Sequence, residues 1–222
     1  FEVSGKTVGF IGFGRIGRMV GDKCQALGAK VLSVVHRTKP EGCECETMRF
    51  VTMDELLSQS DIIILCAPGG DKAIVDAEAL AKMKDGVIVL NFARDLLVDD
   101  DAMAAALASG KVARYVTDFP NGKTAAMPGC IAIPHLGAST EESEDNCAKM
   151  AVQELMDYLE NGNIKNSVNY PNCDMGICRA EGRITLLHRN IPNSLGRFTA
   201  AIAGENINID GLMNKSRGEY AY

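Results

Sequence analysis

The chain has 222 residues, enough for one large domain or one and a half, and for a substantial buried core. Its 29 acidic and 23 basic residues leave a formal net charge of −6, and no basic cluster offsets it, which argues against a nucleic-acid partner. No apolar run reaches the roughly 18 residues of a membrane span, and no secretory leader pattern is seen, so the cytoplasm is the expected compartment, with no membrane partner.

The chain opens at Phe1-Glu2-Val3-Ser4-Gly5-Lys6, already beside its first strand, and stops at Tyr220-Ala221-Tyr222, within a predicted strand. It therefore reads as a fragment of a longer protein. Thr7-Val8-Gly9-Phe10-Ile11 is an apolar run of the kind found in buried parallel strands. Arg15 to Leu27 reads as a helix, with Ile16, Met19, Val20 and Leu27 on one face. Between them lies Gly12-Phe13-Gly14-Arg15-Ile16-Gly17. A glycine-rich turn from strand to helix is a phosphate cradle. Gly12 permits the turn, Gly14 admits a pyrophosphate close to the backbone, and Gly17 allows tight helix packing. The phosphates then meet the free N–H groups of the first helical turn, Arg15 and Ile16 among them. This context points to a bound dinucleotide.

Further strands are expected at Val31–Val35, Ile62–Cys66, Val87–Asn91, Ala113–Thr117 and Ile131–Ile133, with helices at Met53–Gln59, Ala77–Met83 and Asp99–Ala108. Alternating strands and helices define an α/β fold, a Rossmann-like doubly wound parallel sheet. Ser139-Thr140-Glu141-Glu142 opens a long helix, capped by Ser139 or Thr140, that runs to about Glu160 and ends at Asn161-Gly162-Asn163. Residues 163–182, with their prolines, asparagines and glycines, read as a linker. A smaller β-α-β-β pattern follows: strand Arg183–Asn190, helix Ser194–Gly204, strand Ile207–Met213, turn Ser216-Arg217-Gly218 and a strand from Glu219. The eight cysteines include two close pairs, Cys43-Glu44-Cys45 and Cys173 with Cys178. Neither pair has zinc-site spacing or a histidine nearby, so reduced thiols and no metal are expected.

Three polar groups follow strands directly: Asn91-Phe92-Ala93-Arg94, Thr117-Asp118-Phe119-Pro120 and Pro134-His135-Leu136-Gly137-Ala138-Ser139-Thr140. Open α/β sheets bind ligands at the carboxyl ends of their strands. Together with Gly12–Gly17, these groups resemble the D-isomer-specific 2-hydroxyacid dehydrogenase family, over nearly the whole chain. Lys84-Asp85-Gly86-Val87 and Ile133 to Glu142 are most similar to its serine-biosynthetic branch, whose substrate is a phosphorylated 2-hydroxy acid. The resemblance implies a dinucleotide-binding domain at 1–140 and, at 141–162, a helix returning to a substrate domain that is mostly absent here. It makes 163–182 a linker and 183–222 the first part of an α+β, ferredoxin-like ACT domain, a regulatory module. It further implies a homo-oligomer that transfers a hydride between nicotinamide and a hydroxy acid. Catalysis falls to Arg94 and His135. Ala67, Pro68, Phe92, Ala93, Asp118 and Gly137 join the glycine turn in holding the cofactor. His188, Asn190 and Asn208 fall where an amino-acid effector such as serine binds.

The residues suit these roles. Histidine, with an ordinary pKa of about 6.5, exchanges protons near neutrality, and the planar arginine fork matches a carboxylate. The sequence also departs from the family. The glutamate expected to orient the histidine, a few residues beyond Asp118-Phe119-Pro120, is missing from Asn121-Gly122-Lys123-Thr124. Either another acid replaces it or the base is weakened. The acid that binds the cofactor ribose is expected near Val35, and His36-Arg37-Thr38 follows instead. Those residues suit the 2′-phosphate of NADP, whereas the family implies NAD. The loop Cys66-Ala67-Pro68-Gly69-Gly70-Asp71-Lys72 is longer than usual, and Asn193 stands where the small domain has a glycine. A non-catalytic sensor of dinucleotides or amino acids on the same fold is the alternative, as is a dehydrogenase of another 2-hydroxy acid.

Overall fold

The computed structural model describes residues 2–34 and 45–222. The chain forms two compact units that divide between Leu136 and Gly137.

The first unit is built on a parallel sheet of seven strands: β1 (Thr7–Ile11), β2 (Lys30–Val34), β3 (Met48–Val51), β4 (Ile62–Leu65), β5 (Val87–Asn91), β6 (Val112–Thr117) and β7 (Cys130–Ala132). Their order is β3-β2-β1-β4-β5-β6-β7, and every neighbouring pair is parallel. The chain runs outward from β1 to β3, then crosses back to β4. The order thus reverses beside β1, at the switch point where doubly wound sheets open a crevice. All four residues of β4 are buried. Successive side chains point to opposite faces. Ile62 and Ile64 therefore pack with Val8, Phe10, Val31 and Met48, while Ile63 and Leu65 pack with Leu56, Val89, Leu97 and Met103.

Helix α1 (Arg15–Ala26) follows β1, α2 (Met53–Gln59) precedes β4, α3 (Ala77–Lys82) precedes β5, and α4 (Asp100–Ala108) precedes β6. Short polar side chains start three of these helices. Thr52 accepts from the Glu55 N–H, Asp76 from Ala79, and Asp99 from Ala102. Strand β3 was not expected from the sequence. It is four residues long and carries Arg49, so its alternation is weak, and it forms because β2 offers a free edge.

In the second unit, α5 (Glu141–Asn161) is capped by Thr140, whose side chain accepts from Ser143, and ends at Gly162 with φ +69°. The segment 163–182, expected to be a linker, has no helix or strand yet is packed. Ile164 and Cys173 exchange two backbone hydrogen bonds, and both are buried with Tyr222 against Tyr158 and Tyr170. Beyond it lie β8 (His188–Arg189), α6 (Ser194–Gly204), β9 (Ser216–Arg217) and β10 (Tyr220–Ala221), in an antiparallel sheet of order β8-β10-β9. Two expected strands are corrected here. Arg183–Asn190 shrinks to the two residues of β8, because its partner β10 offers only two. Ile207–Met213 makes no ladder among the described residues, and Ile207 and Leu212 are exposed. Asn193 takes φ +64° at the start of α6, a left-handed conformation asparagine accepts readily.

Among the described residues, no helix is long and apolar enough to cross a membrane.

Candidate active site

The sheet register brings the candidate residues to one edge. Ile11 pairs with Leu65, Leu65 with Asn91, Asn91 with Thr117, and Thr117 with Ala132. Five strands therefore end side by side, and the loops that follow them are neighbours.

The loop after β1 is the glycine turn. Gly12 has φ +99°, and a Cβ there would lie 2.6 Å from the Ala67 nitrogen and 2.7 Å from the Cys66 carbonyl carbon. The turn thus lies directly against the loop after β4. A Cβ on Gly17 would meet the Gly12 oxygen at 2.6 Å. Gly14 differs from both: a Cβ there would meet nothing within 4 Å. Gly14 also caps α1, and neither a capping side chain nor an acidic residue occupies the first turn. The open space at Gly14, the uncapped helix start and the absence of negative charge fit a pyrophosphate. Arg15 and Ile16 lie exposed on that first turn. In the neighbouring loop Ala67 is buried and Pro68 exposed, and burial pushes the Cys66 thiol up, away from reactivity.

Asn91 shapes the loop after β5. It is fully buried; its Nδ2 donates to the Arg94 carbonyl at 2.9 Å and its Oδ1 accepts from the Ala93 N–H at 3.2 Å. Those bonds fold Phe92-Ala93-Arg94 into a turn, with Ala93 buried and Phe92 and Arg94 exposed. The sequence reading named Asn91 at the head of this polar group but gave it no role of its own; a polar residue closing an otherwise apolar strand was the available signal. Arg94 Nη1 donates to the Ala93 carbonyl at 2.6 Å, and its guanidinium carbon lies 5.2 Å from the Phe119 ring centroid. A Cβ on Gly69 would come within 3.0 Å of Arg94 Cγ, so the loop after β4 also abuts this arginine.

The loops after β6 and β7 meet at His135. Thr117 Oγ1 accepts from the Phe119 N–H at 3.1 Å, and the Thr117 carbonyl accepts from the Ile133 N–H at 3.0 Å. Asp118 is 8% exposed, and its Oδ2 lies 2.7 Å from His135 Nδ1. Its Oδ1 is buried and makes no hydrogen bond among the described residues. An acceptor so placed fits an amide donor from a cofactor. The Phe119 and His135 rings lie 4.3 Å apart. Phe119 thus stands against both Arg94 and His135. The segment expected to supply a carboxylate is committed elsewhere. Asn121 Nδ2 donates to Asp95 Oδ1 at 2.9 Å and to Asp100 Oδ2 at 2.8 Å, while its Oδ1 accepts from the Lys123 and Thr124 N–H groups.

The glycine turn, Ala67, Arg94, Asp118 and His135 are thus brought to one edge of the sheet. His36, Arg37 and Thr38 lie outside the described residues, and Gly137 opens the second unit. In the second unit, His188 and Asn208 line a cavity of about 430 Å³. His188 Nε2 pairs with Asn214 Oδ1 at 3.0 Å, and Asn208 donates to Asp210 at 2.8 Å. Asn190 is not brought to the cavity; it donates to the Gly218 carbonyl at 3.2 Å. The seven cysteines among the described residues are free thiols, and no cluster of metal-ligating side chains is found among those residues.

A parallel sheet with its order reversed beside a glycine turn, and with polar loops gathered at that edge, defines a dinucleotide-binding domain. Residues 1–137 match the family described as D-isomer specific 2-hydroxyacid dehydrogenase, NAD binding domain, and the chain belongs to that family. A hydroxypyruvate reductase of Blautia hydrogenotrophica is 40% identical over 177 residues, covering 76% of this chain and 54% of its own. D-3-phosphoglycerate dehydrogenase 2 of Saccharomyces cerevisiae is 30% identical over 100% of this chain and 52% of its own length. The chain thus spans about half the length of these relatives. Among solved structures, the NAD complex of a D-isomer specific 2-hydroxyacid dehydrogenase from Lactobacillus delbrueckii ssp. bulgaricus superposes with a TM-score of 0.69 at 27% identity, covering 76% of this chain and 57% of that one.

Proposed function

We propose that this chain is the cofactor-binding part of an enzyme that interconverts a D-2-hydroxy acid and its 2-oxo acid. The observation that carries the proposal is that Arg94 and His135 both lie against the Phe119 ring, in the loops at the strand edge that holds the glycine turn. When bound, the nicotinamide dinucleotide accepts or donates the hydride. The chain supplies the rest. Backbone N–H groups at Gly14–Gly17 hold the pyrophosphate. The Arg94 guanidinium binds the substrate carboxylate through paired hydrogen bonds. His135 takes the hydroxyl proton during oxidation and returns it during reduction.

The favoured substrate pair is 3-phosphoglycerate and 3-phosphohydroxypyruvate, because the phosphoglycerate dehydrogenase relative aligns along all of the chain. Hydroxypyruvate is the second reading, supported by the higher identity of the shorter match. In the second unit, His188 and Asn208 on the cavity wall are the candidate contacts for an amino-acid effector such as serine.

The test is NADH-dependent reduction of 3-phosphohydroxypyruvate, hydroxypyruvate and glyoxylate by the protein carrying this chain. The phosphorylated acid should show the highest kcat/KM. His135→Ala should lower kcat by about 10²–10⁴-fold. Arg94→Ala should lower kcat/KM about 10- to 150-fold, the equivalent of a charge-assisted bond of about 1.5–3 kcal/mol. Full activity in both variants would refute the assignment.

A further inference from the structure

The sequence lacks the carboxylate expected at 121–124, yet His135 does not lack one. The group at its Nδ1 is Asp118, 2.7 Å away and nine-tenths buried, whereas His135 itself is 56% exposed. The arrangement is rigid on the acid's side. Asp118 follows β6 directly, and its backbone N–H donates to the Asn91 carbonyl at 3.4 Å. The next residue, Phe119, is fixed by Thr117 and lies against the imidazole at 4.3 Å between ring centroids. One dipeptide therefore holds the histidine both by a hydrogen bond and by ring contact.

We propose that Asp118 is the positioning residue for His135 in this protein, taking the role that a glutamate farther along the same loop would otherwise fill. The inference rests on the reading of His135 as the acid/base. An ionised carboxylate oxygen only accepts, so Nδ1 is the nitrogen that carries hydrogen. The lone pair of the neutral ring is then on Nε2, which makes no hydrogen bond among the described residues. Nε2 is thereby the atom that takes the substrate's hydroxyl proton, and the imidazolium formed is stabilised by the carboxylate at Nδ1. Position 122 needs no acid. Only one Asp118 oxygen is used in this way; Oδ1 stays buried without a partner among the described residues and is available to a cofactor amide.

The tautomer of His135 is the direct test. Long-range ¹H–¹⁵N spectra of the whole labelled chain are recorded at a pH where the imidazoles are neutral, with His135 assigned by its loss in His135→Gln. The proposal requires the Nδ1–H form to dominate. Asp118→Asn should lose that signature and move toward Nε2–H, since an amide can donate to Nδ1. Asp118→Glu, which keeps the carboxylate, should retain it. Gly122→Glu, whose Cβ enters open space, should leave it unchanged. In turnover, Asp118→Asn should lower kcat by about 10²–10⁴-fold, with KM for the oxo acid unchanged. An Nε2–H form in the wild type overturns the proposal and needs no Asp118 variant to fold. So does an Nδ1–H form that survives Asp118→Asn, or one that appears only in Gly122→Glu. Failure of the parent reading looks different: the Nδ1–H tautomer holds while His135→Ala turns over normally.

Discussion

Phe119 touches both side chains to which the proposed chemistry is assigned. Its ring lies 4.3 Å from that of His135 and 5.2 Å from the Arg94 guanidinium carbon. Contacts of these kinds are worth about 0.5–1.5 kcal/mol each and depend on ring geometry. Phe119→Ala is therefore expected to lower kcat/KM about tenfold, or ~1.4 kcal/mol, by loosening both partners. Phe119→Tyr should stay close to wild type; equal rates for Phe119→Ala and wild type would show that the ring holds neither. Arg94 and His135 were singled out in the sequence because the family resemblance assigns them roles and each lies in a polar group that follows a strand; the structure brings both to Phe119. Asp118 was read from the resemblance as a candidate cofactor contact, not as the neighbour of His135 that the structure shows. A linear motif shows that an acid follows a strand; it does not show that the next strand returns a histidine to it. Phe119 carried no signal, since an aromatic residue at a strand end usually means core.

At the scale of elements, the opposite edge of the sheet is tied by Asp61. Its Oδ2 accepts from the Thr7 N–H at 2.9 Å, and Lys84 Nζ lies 2.9 Å from Oδ1, so one carboxylate joins the starts of β1 and β4 to the turn before β5. Burial pushes the Asp61 carboxyl up, but the Thr7 N–H and Lys84 outweigh it and hold it below its ordinary value. A carboxyl depressed on folding adds stability above its unfolded value of about 3.9 and loses it as pH falls through the lower folded value. Asp61→Asn should thus cost about 1 kcal/mol in urea unfolding at neutral pH, the ion pair being partly screened, and nothing at a pH below both values. The same loss at both pH values would assign the effect to packing. The strands themselves were readable because each central one is a short, nearly continuous apolar run. Strand β3 was not, since four residues with an arginine carry too little pattern. Segment 163–182 was misread because its many turn-forming residues conceal Ile164 and Cys173, which only the folded unit shows to be buried.

At the scale of the molecule, the first unit was legible apart from β3: alternating strand and helix patterns leave few topologies, and right-handed crossovers leave fewer. The second unit was legible less well, because its strands are short and depend on partners that periodicity cannot identify. The central claim belongs to the first unit, and it is that the turn at Gly12–Gly17 holds a nicotinamide dinucleotide. Gly14 allows a clean test, since a side chain there enters open space and should leave the fold intact. The measurement is an NADH titration, followed by fluorescence, of the wild-type chain beside Gly14→Val, with circular dichroism to verify that both are folded. The account predicts saturable binding by the wild type and an affinity at least about tenfold lower, or 1.4 kcal/mol, for the variant. Equal affinity in two folded proteins would contradict it.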